Sequence, residues 1–336
     1  ARTSRSALTT ENETMMSLVF QVVGAGVAGL SVASELSQRG ASVRLYDRNG
    51  PPGPHACSWW AGGMLAPFCE GEAAEEPVMR WGQLAADWWE SKGASVKRNG
   101  SLVLALGRDQ RELDRFSRRT HNHHWLKDND LLTLEPELGG RLYFPEEAHL
   151  DPRQALGALT QTLREQNVEI ITSEGHFIQH AIDCRGLTAQ DQLSDLRGVK
   201  GEMLVLRCPE LTFNRPIRLL HPRIPIYLVP RGEGVYMLGA TMLESNDRRR
   251  ATVRSVLELL SSAYALHPAF GEAEIIEIGV DARPAFPDNL PRLRIRNGIL
   301  FVNGLYRHGF LLAPTLARMT ADYLLEKKIP EFLDAN

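Results

Sequence analysis

Residues 18–48 read LVFQVVGAGVAGLSVASELSQRGASVRLYDR. The apolar run at residues 18–23 is typical of a buried strand, and a glycine-rich turn follows it directly. Apolar residues then recur at helical spacing until the segment ends near Gly40, and residues 42–46 form a second strand-like run that ends at Asp47. This order predicts a βαβ unit of the kind found in nucleotide-binding folds.

Three glycines at the junction of the first strand and the helix form the pattern G-x-G-x-x-G, namely Gly24, Gly26 and Gly29. The first permits a tight turn, the second lets the backbone approach a pyrophosphate, and the third allows close packing of helix on strand. The helix N-terminus offers free N–H groups and the positive end of its dipole. Asp47 stands at the end of the second strand, where a carboxylate can bind ribose hydroxyls. The motif predicts a dinucleotide and leaves FAD and NAD open, while Asp47 disfavours a 2′-phosphate.

Size and charge limit the possible functions. The chain has 336 residues, with 38 Lys and Arg against 41 Asp and Glu, which gives a formal charge of −3. This length suggests about two domains. The near-neutral charge argues against nucleic acid as the main partner, because phosphate binding normally leaves a basic footprint. No apolar run approaches the roughly 20 residues of a transmembrane helix, so no membrane partner is expected.

Cysteine and histidine usage points away from metal and disulfides. The chain has four cysteines and none forms a Cys-x-x-Cys pair, so neither a zinc site nor a dense disulfide framework is predicted. Reduced thiols fit a cytoplasmic enzyme best. His121, His123 and His124 cluster in a charged segment, but no carboxylate or cysteine stands at a matching ligand spacing. We therefore expect no metal site.

The opening segment, residues 1–16, is polar and lacks the apolar core of a secretory signal. We expect it to be a disordered extension, with the natural start at Met15 or Met16. An organelle transit peptide is the alternative interpretation. Glu11 and Glu13 count against that alternative, because transit peptides are poor in acidic residues.

Beyond the βαβ unit, helical and extended patterns alternate, and the chain becomes rich in strands from about residue 198. Helices are predicted at residues 77–93, 108–125, 153–166, 248–265 and 313–328. Strands are predicted at residues 99–106, 167–172, 201–207, 224–231, 234–242, 274–280 and 297–305. The chain thus begins and ends with nucleotide-binding elements. We predict an α/β fold, α+β overall, in which a Rossmann-type domain carries an inserted antiparallel-sheet domain.

Four later segments carry a family resemblance. They are CSWWAGGMLAP at residues 57–67, IPIYLVPR with YMLGATM at residues 224–242, DARP at residues 281–284 and GILFVNGLYRHGFLLAP at residues 298–314. In this order and at this spacing they resemble the glycine oxidase branch of the D-amino-acid oxidase superfamily, including the oxidases that serve thiamine biosynthesis. The resemblance extends over roughly residues 18–326 and is strongest at its two ends.

The resemblance implies that the cofactor is FAD, bound non-covalently. In that family the segment matching residues 57–67 reaches the flavin ring through main-chain amides. The segment matching residues 305–311 brings a helix N-terminus to the flavin pyrimidine, where its dipole stabilises negative charge. The FAD-binding residues implied are Gly24, Gly26, Val27, Ala28, Gly29, Asp47, Arg48, Cys57, Ser58, Ala61, Gly62, Gly63, Met64, Gly186, Leu187, Leu305, Tyr306, Arg307, His308, Gly309, Phe310 and Leu311.

The resemblance also implies a discontinuous domain arrangement. The FAD-binding domain is expected to comprise residues 17–76, 142–200 and 284–330. The substrate-binding domain is expected to comprise residues 77–141 and 201–283. Both ends of the chain therefore contribute to the dinucleotide-binding part, with the substrate-binding part formed by two insertions.

Four residues are candidates for the substrate site. Arg283 matches the carboxylate-binding arginine of the family, and a planar guanidinium can hold an α-carboxylate through two charge-assisted hydrogen bonds. Tyr227 is expected to hydrogen-bond the same carboxylate, although a half-buried strand tyrosine is the structural alternative. Arg307 is expected to hold substrate or flavin, or else to form a structural ion pair. Met242 is expected to line the pocket, and a core methionine is its alternative.

The chain departs from the family pattern at two places. Residues 167–187 look shorter than their counterpart, which usually carries an extra hairpin, so Gly186 and Leu187 alone are carried over as adenine-side contacts. Pro225 stands two residues before Tyr227, where bacterial glycine oxidases can have a histidine. This difference changes the expected polarity of one pocket wall.

The activity implied is FAD-dependent oxidation of glycine or a similar small amino acid to its imine, with dioxygen reduced to hydrogen peroxide. The imine is expected to supply the thiazole of thiamine, with a thiazole synthase as its recipient. Alternatives are a sarcosine or D-amino-acid oxidase, a dehydrogenase passing electrons to a quinone or carrier, and a non-catalytic nucleotide-binding protein. A homo-oligomer is expected from the resemblance.

Overall fold

The computed structural model describes residues 19–127, 142–175, 181–221 and 225–335. Its strands are β1 (Val19–Val23), β2 (Ser42–Asp47), β3 (Met64–Leu65), β4 (Ser101–Ala105), β5 (His124–Trp125), β6 (Leu142–Phe144), β7 (Ala148–His149), β8 (Ile170–Thr172), β9 (Ala181–Asp183), β10 (Arg197–Arg207), β11 (Ile217–Leu220), β12 (Ile226–Gly232), β13 (Val235–Gly239), β14 (Leu243–Glu244), β15 (Glu274–Ala285), β16 (Arg292–Arg296), β17 (Ile299–Asn303) and β18 (Leu333–Ala335). Its α-helices are α1 (Val27–Gln38), α2 (Pro67–Glu70), α3 (Glu76–Gly82), α4 (Ala85–Ser91), α5 (Gln110–Arg119), α6 (Pro152–Glu165), α7 (Val253–Leu266) and α8 (Gly309–Glu326). Short 3-10 helices lie at Cys57–Trp60, Gly107–Asp109, Gly186–Asp191 and Pro268–Glu272. The extension predicted at residues 1–16 lies outside the described residues.

Within the described residues, the first sheet has seven strands in the order β18-β16-β17-β9-β1-β2-β8. β1 pairs in parallel with β2 on one side and with β9 on the other. The connecting helix α1 packs against both α6 and α8. Its predicted apolar positions Leu30, Ala33 and Leu36 are all fully buried in the core that these helices form with the sheet. The predicted βαβ unit is therefore confirmed.

The second sheet, as far as the structure describes the chain, has nine strands and is mostly antiparallel. Its order is β14-β10-β13-β12-β11-β4-β6-β5, and β15 pairs with β10. One pair departs from the predicted pattern, because β4 runs parallel to β11. Helix α7 covers this sheet with Leu259, Ala263 and Leu266, which share a buried cluster with strand residues such as Leu204 and Leu238. The α/β fold class with a separate antiparallel-type sheet is confirmed, while the domain bounds stay a prediction.

The tryptophan-rich segment predicted as one helix at residues 77–93 is two helices, α3 and α4. Glycine has a low helix propensity, and α3 ends at Gly82. A Cβ at Gly82 would lie 2.7 Å from Cγ of Leu311, so the first turn of α8 packs directly on this point. The break therefore follows from close contact between α3 and α8.

Helix α8 begins at Gly309, before the predicted start at residue 313, and continues through Pro314. Proline cannot donate to the carbonyl four residues earlier, which is that of Phe310. The indole N–H of Trp89 donates to this carbonyl instead, at 2.8 Å. A side chain from α4 thus replaces the missing main-chain hydrogen bond and lets the helix start next to the cavity described below.

Strand β15 is longer than the predicted strand at residues 274–280 and includes the DARP segment. It pairs with β10 from Arg207 opposite Glu274 to Arg197 opposite Ala285. Pairing along the whole of β10 explains the extra length and places Arg283 on a strand.

Among the described residues, no helix is both long enough and apolar enough to cross a membrane.

Candidate active site

A cavity of about 880 Å³ lies where the carboxyl ends of β1 and β2 meet the second sheet. In open α/β sheets, ligands bind outside the carboxyl ends of the parallel strands. Its wall includes the glycine-rich turn, the Cys57–Trp60 segment, parts of β12 and β15, and the first turn of α8. Of the predicted site residues, all line this cavity except Gly29. The structure therefore brings together residues that are widely separated in the sequence.

The glycine-rich turn has the shape that a pyrophosphate requires. Gly24 has φ +104°, and a Cβ there would lie 2.6 Å from the main-chain oxygen of Cys184. A Cβ at Gly29 would lie 1.8 Å from the main-chain oxygen of Gly24, which accounts for its position behind the turn. Helix α1 begins at Val27, and the N-cap residue Gly26 has no side chain to cap it, so the first turn faces the cavity with main-chain N–H groups.

Asp47 occupies the position expected for a ribose-binding carboxylate. Its Oδ2 accepts from the N–H of Ala25 at 2.8 Å, and its Oδ1 accepts from the N–H of Asn49 at 2.8 Å. Nε2 of His55 lies 3.9 Å from this carboxylate and is buried without a hydrogen-bond partner among the described residues. A buried polar atom normally has a partner, so this part of the wall fits a ligand that carries hydroxyl groups.

The Cys57–Trp60 segment and the residues after it run along one side of the cavity. The hydroxyl of Ser58 accepts from the N–H of Val27 at 3.3 Å, which ties this segment to the start of α1. Burial raises the pKa of the Cys57 thiol to about 12, with a further contribution from Asp281. The thiolate is the nucleophilic form of cysteine, so this environment favours a cofactor held without a covalent bond to Cys57.

Arg283 and Tyr227 reach the cavity from β15 and β12. Nη1 of Arg283 donates to the main-chain oxygen of Thr241 at 3.2 Å. The guanidinium lies across Gly201 of the neighbouring strand, where a Cβ would approach Nη2 to 2.3 Å. The ring of Tyr227 lies against two glycines, since a Cβ at Gly62 or Gly239 would come within 2.8 or 2.9 Å of it. Glycines therefore make room for both predicted carboxylate-binding side chains.

Met242 lies at the edge of the cavity rather than in the core, because its side chain is 48% exposed. The hydroxyl of Tyr306 donates to the sulfur of Met242 at 3.7 Å. The alternative of a core methionine is therefore wrong for this residue. Pro225, the departure from the family pattern, also lines the cavity and adds an apolar surface to this wall.

Arg307 forms an ion pair with a residue that sequence patterns did not indicate, Glu70. Nη2 of Arg307 lies 2.7 Å from Oε2 of Glu70, and Nη2 of Arg218 lies 2.7 Å from Oε1. Burial alone would raise the pKa of Glu70, but the Arg307 and Arg218 guanidiniums outweigh burial and hold this pKa well below its usual range. Arg307 thus takes part in a structural ion pair while it lines the cavity. A charged residue inside the apolar strand IRLL at 217–220 was the one available signal for Arg218.

His308 packs on the same cluster, with Nδ1 3.7 Å from Oε2 of Glu70. Burial lowers the pKa of His308 to about 4, and Glu70 offsets only part of this effect. The imidazole is therefore neutral at neutral pH. The cluster made by Glu70, Arg218, Arg307 and His308 holds one carboxylate against two guanidinium groups, and its net charge is positive.

The loop before α8 is held in a defined conformation. Gly304 has φ +82° and Tyr306 has φ +49°. The N–H of Tyr306 donates to the main-chain oxygen of Pro284 at 2.9 Å, which fixes the loop next to Arg283. The amide of Asn303 donates to the main-chain oxygen of Gly186 at 2.8 Å, so Asn303 links this loop to the predicted adenine-side segment. Sequence patterns did not single out Asn303.

One member of the histidine cluster, His123, lies within hydrogen-bond distance of two hydroxyl groups of the same charged segment. Nε2 of His123 lies 3.0 Å from the hydroxyl of Ser117, and Nδ1 lies 3.3 Å from the hydroxyl of Thr120. No group of three or more potential metal ligands occurs in the part of the chain that the structure describes. Cys57, Cys69, Cys184 and Cys208 are free thiols.

Comparison with known proteins identifies the family. The model of the FAD-dependent oxidoreductase family, DAO, matches residues 21–323. A protein of Rhizobium etli, named as the thiamine biosynthesis oxidoreductase ThiO, is 52% identical over 317 residues, which cover 91% of this chain and 96% of that protein. The bifunctional protein ThiO/ThiG of Trichormus variabilis is 28% identical over 363 residues, and the match covers 91% of this chain but 52% of that longer protein.

The fold agrees with this family. The crystal structure of glycine oxidase from Geobacillus kaustophilus superimposes with a TM-score of 0.77 at 24% identity, covering 94% of this chain and 95% of that chain. The resemblance to ThiO-like glycine oxidases is confirmed, and so is FAD as the cofactor. From the match over residues 21–323, and from the cavity that the glycine-rich turn lines, we conclude that the chain belongs to the FAD-dependent oxidoreductase (DAO) family.

Proposed function

We propose that this chain oxidises the Cα–N bond of glycine, or of a similarly small amino acid, to the imine. The observation that carries the proposal is that the guanidinium of Arg283 lines the same cavity as the glycine-rich turn that begins at Gly24. A fixed cation beside a dinucleotide site is the arrangement that a small carboxylate substrate requires. Pro225, Ala240 and Met242 add apolar surface to the wall of this cavity.

The residues of this chain orient the substrate. Arg283 holds the α-carboxylate in two charge-assisted hydrogen bonds, and Tyr227 donates a third through its hydroxyl. Holding Cα in one place lowers the barrier, because the entropy of positioning is lost on binding rather than in the reaction itself. FAD, which the glycine-rich turn and the segment after Cys57 would hold, would supply the redox chemistry, a two-electron oxidation of the substrate with dioxygen reduced to hydrogen peroxide. The substrate amine binds neutral, so no side-chain base is required.

The positive cluster around Arg307 and the start of α8 face the same cavity. We assign both to the flavin end of the site, where a helix N-terminus and a guanidinium favour electron-rich groups. Glu70 keeps the Arg307 side chain in place, and its carboxylate offsets part of the positive charge of Arg307. Arg307 therefore serves the cofactor rather than the substrate carboxylate in this proposal.

The product imine is proposed to supply thiazole formation in thiamine biosynthesis. The name of the Rhizobium etli relative supports this role. The relative from Trichormus variabilis joins ThiO and ThiG in one bifunctional protein, which supports a thiazole synthase as the recipient of the imine. A homo-oligomer remains part of the proposal on the family resemblance.

Anaerobic mixing of the FAD-loaded protein with glycine, followed by visible spectroscopy, tests the proposal. Loss of oxidised-flavin absorbance, reversed by air with release of peroxide, is the expected result. Bleaching by sarcosine or by a D-amino acid, but not by glycine, would identify that compound as the substrate in place of glycine. Bleaching without peroxide in air would indicate a dehydrogenase instead.

Two arginine variants make the experiment specific. Arg283→Ala should keep FAD and its spectrum but lose glycine-dependent bleaching by about a hundredfold or more in kcat/KM, because a bidentate charge-assisted contact is lost. Arg207→Ala removes a half-exposed arginine from β10 and should leave the rate unchanged. Equal rates in the two variants would contradict the role of Arg283.

A further inference from the structure

The segment that follows the Cys57–Trp60 turn is held by a buried arginine, Arg231. Nη2 of Arg231 donates to the main-chain oxygen of Ala61 at 3.2 Å and to that of Gly62 at 3.0 Å. Nη1 donates to the main-chain oxygen of Leu150 at 3.1 Å. The side chain is only 12% exposed. One guanidinium therefore binds three main-chain carbonyls from two separate segments.

The carboxylate nearest to Arg231 lies farther away and is already engaged. Nε of Arg231 is 3.6 Å from Oδ2 of Asp151, whose side chain caps α6 by accepting from the N–H groups of Arg153 and Gln154. Burial lowers the pKa of Arg231 to about 10, with Asp151 acting in the opposite direction, so the guanidinium stays charged at neutral pH. A buried charge is costly unless its donors are satisfied, and here the carbonyls of the loop satisfy them.

Because the peptide group is planar, these carbonyl contacts also fix the direction of the neighbouring N–H groups. In a planar trans peptide the C=O of one residue and the N–H of the next point in opposite directions. Because Arg231 binds the carbonyls of Ala61 and Gly62, the N–H groups of Gly62 and Gly63 point away from Arg231. Both glycines line the cavity. Successive N–H groups directed to one side form a site for an electron-rich atom.

One further hydrogen bond and close backbone packing hold the same segment. The N–H of Leu150 donates to the main-chain oxygen of Gly63 at 2.9 Å, so three consecutive carbonyls of the segment accept hydrogen bonds from the protein. Gly63 has φ +77°, and a Cβ there would lie 2.2 Å from the main-chain oxygen of Leu150. The backbone at Gly62 and Gly63 is thus fixed before any ligand binds.

We infer that Arg231 is a positioning residue for FAD, which acts by turning the N–H groups of Gly62 and Gly63 towards the flavin ring. The same strand, β12, carries Tyr227, whose ring packs against Gly62. β12 therefore supports the flavin loop with Arg231 and serves the proposed substrate site with Tyr227. The inference concerns cofactor binding and does not depend on which amine the enzyme oxidises.

Titration of the FAD-free full-length protein with FAD tests the inference. Arg231→Met keeps an unbranched, flexible side chain and removes the guanidinium donors, so the Kd for FAD should rise by about tenfold or more. Arg231→Lys should give an intermediate Kd, because a single ammonium cannot donate to all three carbonyls in the same geometry. The flavin spectrum should shift in Arg231→Met, since the polar contacts at the ring edge change.

Arg215→Met is the matched control. Arg215 is also a buried arginine, in the segment that precedes β11, and it donates to a main-chain oxygen, that of Asn99, but it does not line the cavity. Its replacement should leave the Kd for FAD and the spectrum unchanged. Equal FAD affinities in Arg231→Met and Arg215→Met would overturn the inference.

Hydrogen exchange on the wild-type protein provides a second test that needs no variant to fold. The amide protons of Gly62 and Gly63 should exchange more slowly when FAD is added to the FAD-free protein, because the flavin occupies the space that these N–H groups face. Unchanged exchange at both glycines on FAD binding would show that the amides do not face the flavin, and the inference would be wrong.

Discussion

The indole N–H of Trp89 donates to the main-chain oxygen of Phe310 at 2.8 Å, and both side chains are buried. Pro314 cannot supply a main-chain donor to this oxygen. Their rings also pack with centroids 5.2 Å apart. Because Phe310 lies in the first turn of α8 and lines the cavity, this contact links helix α4 to the flavin end of the site.

Replacing Trp89 with Phe should therefore lower stability. A buried carbonyl without a partner costs about 1–3 kcal/mol, and the smaller ring adds a packing loss. Pro314→Ala returns a main-chain N–H, so the double variant should recover on the order of 1 kcal/mol in a double-mutant cycle measured by urea unfolding. If the two substitutions change the free energy of unfolding additively, the indole N–H of Trp89 does not replace the main-chain donor that Pro314 lacks. Trp125→Phe, at a half-exposed position, is the control.

Gly201→Ala should impair substrate binding without unfolding the protein. The added Cβ would lie 2.3 Å from Nη2 of Arg283, and the guanidinium can move away at little cost because it ends a flexible side chain. We expect KM for glycine to rise by about tenfold while the Kd for FAD stays the same. Gly157→Ala is the control, because no atom of the described residues, apart from the backbone of its own helix and its chain neighbours, lies within 4 Å of a Cβ there. This control should be slightly more stable than wild type, by about 0.5–1 kcal/mol, with unchanged KM.

Glu147→Gln should flatten the pH dependence of stability. Glu147 is fully buried, and burial raises its pKa from 4.5 to about 7 despite hydrogen bonds from Ser101 and from the N–H of Cys69. The folded protein binds this proton more tightly than the unfolded chain, so the contribution is complete below pH 4.5 and is lost as pH rises through about 7. The loss amounts to about 3 kcal/mol at most.

Glutamine keeps the shape of the protonated form, so the variant should equal wild type at low pH and exceed its stability above pH 7. Urea unfolding at several pH values measures this difference. Glu146→Gln changes the exposed neighbour and should leave the wild-type pH profile intact. The same slope in wild type and Glu147→Gln between pH 4.5 and 7 would rule out a raised pKa for Glu147.

Glu70→Gln should be strongly destabilising. The change leaves Arg218 and Arg307 facing each other without a carboxylate, and breaking a buried pair from one side costs about 3–5 kcal/mol. The depressed pKa of Glu70 means that wild type keeps this contribution above pH 4.5 and loses it as the pH falls below that value. Thermal unfolding at neutral pH measures the difference.

Glu72→Gln is the matched control for this prediction. Glu72 also lies near two arginines, Arg115 and Arg119, but their side chains are 52% and 54% exposed. Solvent screens such pairs, so Glu72→Gln should lower the free energy of unfolding by less than about 1 kcal/mol. Similar losses of stability in Glu70→Gln and Glu72→Gln would show that burial of the Glu70 cluster does not strengthen its contribution to stability.

The cofactor class could be predicted from the sequence because its signals are local. The three glycines from Gly24 to Gly29 and the carboxylate of Asp47 act within one βαβ unit, and their spacing is set by the geometry of a strand, a turn and a helix. Segments 57–67 and 298–314 are contiguous as well, so each could be compared with a family pattern without knowledge of the rest of the chain.

Tertiary structure alone decided which charged groups meet. Glu70 contacts Arg218 and Arg307 across 148 and 237 positions of the chain, and Arg231 contacts Ala61 across 170 positions. No spacing rule links such residues, because their contact depends on how the two sheets pack. The extent of β15 likewise follows from its pairing with β10, and the start of α8 depends on Trp89. The local sequence determines short-range backbone geometry. The packing of the two sheets and the helices determines which groups become the partners of buried charges and of carbonyls that lack a main-chain donor.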